Sequence, residues 1–231
     1  MNKRLIFSFG CLLSANLLVG TAVASDDSRM YEVTITNLTR GISFTPIMVA
    51  THQPGIKLYA LGQPPSDALA TMAEDGDTGP LAAVIRATPK GETASSAGLL
   101  DAGKSVTINV SARNSESHLS LAAMMLPTND GFIAVNDVPL PKGKDVVTYL
   151  SNGHDAGSEP NDELCSNIPG PTCGGQGASP NAGGESFVHI HAGIHGIGNL
   201  APAEYDWRNP VARITVRRME KVEKAEKADR R

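Results

Sequence analysis

A two-residue alternation of apolar and polar side chains is the feature that most constrains the fold of this chain. In "MYEVTITNL", Tyr31, Val33 and Ile35 alternate with polar residues, and the same period returns in "SVTINVSA" and "PVARITVRR". Because successive side chains of a strand point to opposite faces, each segment predicts a half-buried β-strand. We predict further strands in the segments "HLSLAAMML", "GFIAVNDV", "DVVTYL" and "SFVHIHA".

Glycine and proline are frequent (23 and 15 residues), and only 4% of the residues are aromatic. This composition favours a strand-rich domain with many loops over a helical bundle. We therefore predict an all-β fold, an antiparallel β-sandwich. The segment "PPSDALATMAEDG" predicts a short helical insertion that is capped by Ser66 and ends near Gly76. For the next segment, "PLAAVIRATP", helix and strand both remain open.

The N-terminus indicates export. A basic start ("MNKR"), an apolar run ("LIFSFGCLLSANLLVG") and the small residues of "TAVAS" predict a signal peptide over residues 1–24. The apolar run is shorter than the roughly 20 residues that a membrane span needs, so we predict no integral membrane span. The protein is therefore expected to be exported, either to the periplasm or to the outside of the cell.

We divide the chain into a signal peptide (1–24), a β-sandwich domain (28–218) and a charged tail (219–231). The tail, "MEKVEKAEKADRR", has glutamates four residues before basic residues, which is typical of a solvated helix. The formal net charge of −4 gives no indication of nucleic-acid binding. In an oxidising compartment Cys165 and Cys173 are expected to form a disulfide, with two free thiols as the alternative.

The segment "NGHDAGSEPNDE" concentrates carboxylates in what the sequence predicts to be an unstructured turn. Calcium takes six to eight oxygen ligands in flexible geometry, so Asp155 and Glu159 could fold onto one ion. Asp130, in "PTNDGFIAVND", is the best further donor because loops at one end of a sandwich lie close together. The alternative is a solvated acidic loop that holds no metal.

The segment "VHIHAGIHGIG" contains a second group of metal-ligand residue types. His189 and His191 are two residues apart on a predicted strand and so share a side, and His195 follows in a loop. Such a group could bind zinc, copper or iron, or could be hydrogen-bonded to its neighbours in a polar sheet face. We find no G-x-S-x-G or phosphate-loop motif, so we do not expect an enzyme.

Four segments together carry a resemblance to a known family. In order, "YEVTITNLTRGISFTPIMVATH", "PTNDGFIAVND", "HDAGSE" and "YDWRNPVARITV" resemble the spondin N-terminal domain family, and the similarity runs from about Tyr31 to Arg217. The resemblance implies a β-sandwich related to C2-type domains. It also implies an extracellular role, since the animal members F-spondin and mindin are matrix proteins that support cell adhesion.

The resemblance further implies a calcium site. In the family one carboxylate precedes an "F-x-x-V" strand and two belong to a D-A-G-x-[DE] turn, which correspond here to Asp130, Asp155 and Glu159. This chain departs from the animal pattern, because Gly131 stands where a tryptophan is expected and Glu159 where aspartate is usual.

The hypothesis that follows is an exported, calcium-binding, adhesion-type interaction domain without catalysis. Its partner would be an unidentified extracellular or envelope protein or glycan. One alternative is a transition-metal protein or metalloenzyme that uses His189, His191 and His195. Another is a structural envelope protein with neither metal nor activity.

Overall fold

The computed structural model describes residues 28–113, 115–178 and 183–220. The predicted signal peptide lies outside the described residues, and so does the tail from residue 221 onward. The strands are β1 (Arg29–Asn37), β2 (Ser43–Phe44), β3 (Met48–His52), β4 (Glu92–Ser95), β5 (Ser105–Ala112), β6 (His118–Leu126), β7 (Gly131–Pro139), β8 (Val146–Ser151), β9 (Gly153–Asp155), β10 (His189–Ile190) and β11 (Ala212–Arg218). The helices are α1 (Asp67–Asp75), α2 (Gly79–Ala87) and α3 (Pro202–Tyr205).

The strands form two antiparallel sheets. The first has the order β5-β1-β11-β8, and the second has the order β10-β9-β7-β6-β3-β4 with β2 paired to β6. The prediction of an all-β sandwich is confirmed. A disulfide joins Cys165 to Cys173, as predicted, in the loop region between β9 and β10.

The main core lies between the two sheets and is formed by the alternating residues. On β1, Tyr31, Val33 and Ile35 are almost completely buried. The register pairs Val33 with Val216 and Ile35 with Ile214 on β11, which places apolar side chains opposite each other on one face. Side chains from β6 and β7 of the second sheet complete this core, so the period-2 pattern of the sequence corresponds to the inner faces of the sandwich.

Helices α1 and α2 cover the other face of the second sheet and form a second core. Ser66 caps α1, because its hydroxyl accepts a hydrogen bond from the backbone N–H of Leu69 at 3.2 Å. The helix ends at Gly76, whose φ of 73° is left-handed. Both predicted limits of this helix are confirmed, and the open segment that follows forms α2. The second core combines buried residues of both helices with residues of the sheet, among them Leu69, Met72, Leu81, Ile85, Met48 and Phe132.

The largest difference from the predicted strands concerns the acidic segment. Its first residues form β9, which pairs with β7 on one side and with β10 on the other. The predicted strand "SFVHIHA" is reduced to the two residues of β10 at the sheet edge. The acidic segment is therefore part of the second sheet at its start and becomes a loop only after Asp155.

His52, the last residue of β3, is a buried histidine in the second sheet. Its ring is buried, with Nε2 2.8 Å from Ser120 Oγ and Nδ1 2.8 Å from the carbonyl oxygen of Gln53. Burial lowers the pKa of His52 below its ordinary value, while the Gln53 carbonyl and Asp137 oppose the shift and His118 adds to it. The unfolded chain therefore binds a proton at a higher pH than the folded protein does.

We expect the free energy of unfolding to fall as the pH drops below about 6.5, since the unfolded histidine then gains a proton that the buried one resists. Replacing His52 by glutamine should reduce this loss, as measured by urea denaturation between pH 7.5 and 5. His118→Gln, on the paired position of β6, is the control. An unchanged pH slope in His52→Gln would contradict this assignment.

Candidate metal site

The pairing of β7 and β9 brings two carboxylates to one end of the second sheet. Asp130 immediately precedes β7, and Asp155 is the last residue of β9, directly opposite Gly131. The backbone N–H of Ala156 donates a 3.2 Å hydrogen bond to the carbonyl oxygen of Asp130, which fixes this arrangement. Both aspartates are fully buried.

The Asp130 carboxylate is satisfied on one oxygen only. Its Oδ2 accepts hydrogen bonds from the backbone N–H groups of Ser158 (2.7 Å) and Glu159 (3.1 Å) and from the Ser158 hydroxyl (3.2 Å). Its Oδ1 is buried and has no hydrogen-bond partner among the described residues. Burial, and next the negative charge of Asp155, raise the pKa of Asp130 to about 7. Among the described residues, no positively charged partner holds this carboxylate ionised.

The Asp155 carboxylate is anchored by its own turn. Oδ1 accepts a hydrogen bond from the N–H of Gly157 at 2.8 Å, and Oδ2 accepts one from Asn161 Nδ2 at 2.7 Å. Gly157 has a φ of 68°, and a Cβ there would lie 2.4 Å from the carbonyl oxygen of Phe187. Only glycine fits this bend, which allows the turn to fold back so that Ser158 and Glu159 reach Asp130.

The three predicted calcium ligands are thus brought to the same end of the sheet. Asp130, Asp155 and Glu159 are each at most 1% exposed, and backbone contacts link the turn that carries Glu159 directly to Asp130. Among the described residues, His189 and His191 are the basic side chains within 4.0 Å of the Asp155 carboxylate, and no lysine or arginine forms an ion pair with Asp130 or Asp155.

The other two carboxylates of the acidic segment have a different role. Glu163 accepts hydrogen bonds from the consecutive backbone N–H groups of His195, Gly196 and Ile197. Asp162 accepts them from Asn129 Nδ2, Asn167 Nδ2 and the N–H of Leu164. These two side chains hold loops in place, and this leaves Asp155 and Glu159 as the candidates for binding a cation.

The histidines lie next to the same carboxylates. His189 Nε2 is 3.4 Å from Asp155 Oδ1, and His191 Nε2 is 4.0 Å from Asp155 Oδ2, so the two rings face the same side as predicted. His195 lies in the loop whose backbone N–H groups donate hydrogen bonds to the Glu163 carboxylate. Within the part of the chain that the structure describes, the three histidines do not form a compact group of ligand atoms.

A compact group does exist, but with a different membership. One ligand atom from each of Asp155, Glu185 and His189 lies within 4.8 Å of the other two. Sequence reasoning missed Glu185, which lies in the glycine-rich loop before β10. In the sequence, only its position four residues before His189 indicates Glu185 as a ligand, because the loop around it has no periodic pattern.

Gly131 explains one departure from the expected family pattern. A Cβ at this position would lie 2.5 Å from Thr128 Oγ1 and 3.1 Å from His191 Cδ2. The site has no room for the tryptophan that the resemblance leads one to expect. Here the buried ring of His191 lies close to the Gly131 backbone and packs against Trp207, with ring centroids 4.9 Å apart.

The Spondin_N family matches residues 34–158, which is more than half of the 231 residues. The chain belongs to the Spondin_N family. The matched part of this spondin domain contains Asp130 and Asp155 and ends one residue before Glu159, while Glu185 and His189 lie beyond it. No curated protein matches the chain.

The family and the disulfide are consistent with an extracellular or secreted protein. None of the helices in the described ranges is both long and apolar enough to cross a membrane.

Proposed function

We propose that this spondin domain is an exported, calcium-binding interaction domain of the adhesion type, without catalysis, and that Asp130, Asp155 and Glu159 hold the calcium ion. The observation that carries the proposal is the buried Oδ1 of Asp130, which has no hydrogen-bond partner among the described residues and belongs to a carboxylate close to a second buried one. Burying such a group without a counter-charge is costly.

The electrostatics of the pair support a divalent cation. The raised pKa of Asp130 means that, without a cation, this carboxylate tends to take up a proton at neutral pH. A divalent cation would replace that proton and would compensate the repulsion between Asp130 and Asp155. Side-chain oxygens on an irregular loop suit calcium, because calcium accepts variable geometry whereas magnesium requires a near-ideal octahedron.

A calcium ion here would add a bond between two segments that are already joined by the pairing of β7 with β9 and by the hydrogen bonds from Ala156, Ser158 and Glu159 to Asp130. One is the loop that ends at Asp130, and the other is the turn over residues 155–159. Bridging them would make this end of the sandwich rigid, which would lower the entropy cost of binding a partner. An extracellular or envelope protein or glycan is the class of partner that fits a secreted or periplasmic domain of this family.

Calcium is expected to raise the melting temperature of the mature protein, because a ligand that binds only the folded state stabilises it by about 2.7 kcal/mol at a hundredfold excess over Kd. Differential scanning fluorimetry in 1 mM calcium and in EDTA measures the gain. Asp130→Asn should abolish the gain, whereas Asp145→Asn, which makes the same charge change at an exposed loop residue, should keep it.

The same variant distinguishes loss of binding from loss of folding. In EDTA at pH 8, Asp130→Asn should melt no lower than the original protein, since it removes a buried carboxylate that burial and Asp155 destabilise. The proposed site would be refuted if calcium still raised the melting temperature of Asp130→Asn. It would also be refuted if millimolar calcium did not raise the melting temperature of the original protein. The second result would favour a structural domain that binds no metal.

A further inference from the structure

We infer a second cation site beside the proposed calcium site, formed by Asp155, Glu185 and His189 and suited to a divalent transition metal such as zinc. This inference goes beyond the proposed function and does not require calcium at Asp130. Two of its residues, Glu185 and His189, lie outside the part of the chain that the family matches.

His189 presents a lone pair to two carboxylates. Its Nδ1 lies 3.0 Å from the carbonyl oxygen of Ile190, and because a carbonyl can only accept, Nδ1 must carry a proton. In the neutral ring, Nε2 is then the free ligand atom. It is buried, makes no hydrogen bond to a described residue, and lies 3.4 Å from Asp155 Oδ1 and 3.7 Å from Glu185 Oε2.

These separations match two ligands of one metal ion. Zinc binds nitrogen and oxygen at about 2.0–2.2 Å, which places adjacent ligands of a tetrahedral site about 3.4 Å apart. A direct hydrogen bond between a charged imidazole and a carboxylate is shorter, about 2.7–2.9 Å. The Nδ1–H bond to the Ile190 carbonyl also fixes the ring orientation in the way that is common for metal-binding histidines.

His191 provides a second, independent observation at the same place. Its side chain is only 2% exposed, and its Nε2 has no hydrogen-bond partner among the described residues. Nδ1 accepts a hydrogen bond from the N–H of Gly193 at 3.0 Å, so the neutral ring carries its proton on Nε2, which faces Asp155 Oδ2 at 4.0 Å. The Nε2–H group of His191 is therefore a donor without a partner among the described residues, so we assign His191 the role of holding a metal-bound water rather than that of a ligand.

The ligand types select the class of metal. Calcium prefers oxygen ligands only, whereas imidazole nitrogen with carboxylate oxygen suits zinc and its neighbours in the first transition series. Three protein ligands leave a fourth tetrahedral position for water or for a group from a partner molecule. Asp155 would contribute to both sites, which places the two cations side by side on the same sheet edge.

Zinc alone is the probe for the test, added to untagged, EDTA-treated mature protein that has been returned to saturating calcium. Isothermal titration calorimetry should show about one zinc ion per chain. His189→Ala and Glu185→Gln should each weaken zinc binding more than tenfold. His195→Ala, which removes the remaining histidine of the predicted triad, should leave zinc binding unchanged and is the matched control.

Two further measurements distinguish the zinc site from the calcium site, and the metal ligands from the positioning residue His191. His189→Ala and Glu185→Gln should keep the calcium-dependent gain in melting temperature, which also shows that both variants fold. With cobalt(II) in place of zinc, His191→Ala should keep the visible absorption of a histidine-bound metal at a 10- to 100-fold lower affinity, as expected for a positioning residue.

Unchanged zinc affinity in His189→Ala or Glu185→Gln would overturn the inference, and so would the absence of zinc binding by the original protein. If His195→Ala weakened zinc binding as much as His189→Ala does, the result would favour a site formed by His189, His191 and His195 instead. If the original protein binds zinc but calcium does not raise its melting temperature, the proposed calcium function is refuted and the inference of a zinc site is retained.

Discussion

Replacing Phe132 by alanine is expected to lower the free energy of unfolding by about 3–5 kcal/mol, the range for a large aromatic side chain removed from a core. Phe132 is completely buried in the second core, beneath the helices. Its ring stacks on His154 at a centroid distance of 5.3 Å and contacts Tyr59 edge-on at 5.4 Å. Alanine would leave a cavity bordered by both rings, two residues from Asp130.

Urea denaturation at pH 7.5 in EDTA measures this loss without a contribution from bound metal. Phe187→Ala is the matched control, because it removes the same side chain at a position that is 42% exposed. It should lower the free energy of unfolding by less than half as much as Phe132→Ala does. A loss below about 1 kcal/mol in Phe132→Ala would mean that the second core is not well packed around this residue.

Gly157→Ala should destabilise the protein by at least about 2 kcal/mol, because it combines an unfavourable φ with a backbone clash. The φ of Gly157 is 68°, and the new Cβ would meet the carbonyl oxygen of Phe187 at 2.4 Å and its nitrogen at 2.8 Å. The clash should push the turn away from the loop before β10. The gain from calcium should therefore shrink as well, since Ser158 and Glu159 hold Asp130.

Gly143→Ala separates the two causes. Its φ is 71°, but a Cβ there would meet nothing within 4 Å, so only the conformational cost of about 1 kcal/mol remains. Urea denaturation of both variants, with and without calcium, gives the comparison. Equal losses in the two variants would show that the contact between Gly157 and Phe187 does not constrain the turn.

The fold was predictable where one face of a strand is buried. The alternation in β1, β5 and β11 identified these strands because one side of each faces the main core. The sequence did not identify β3, since all five of its residues are buried and its pattern has no period. β4 is short, partly exposed and at a sheet edge, and β9 consists of three residues that only long-range pairing makes a strand.

The candidate site was predictable only in part. The carboxylates of the acidic turn pointed to Asp155 and Glu159, the position of Asp130 at a strand edge made it the best further donor, and the family resemblance implied the same three ligands. No local pattern separates these carboxylates from Asp162 and Glu163, whose hydrogen bonds come from residues up to 34 positions away in the chain. Glu185 was missed for the same reason, because only the pairing of β9 with β10 brings its loop to Asp155.

The central claim, a calcium site that requires Asp130, is tested most directly by isothermal titration calorimetry at pH 8. Calcium is titrated into the EDTA-treated mature protein and into its Asp130→Asn and Asp145→Asn variants. We expect one calcium ion per chain for the original protein and for Asp145→Asn, and at least tenfold weaker binding for Asp130→Asn. Calcium binding of equal strength in Asp130→Asn, or no calcium binding by the original protein, would contradict the claim.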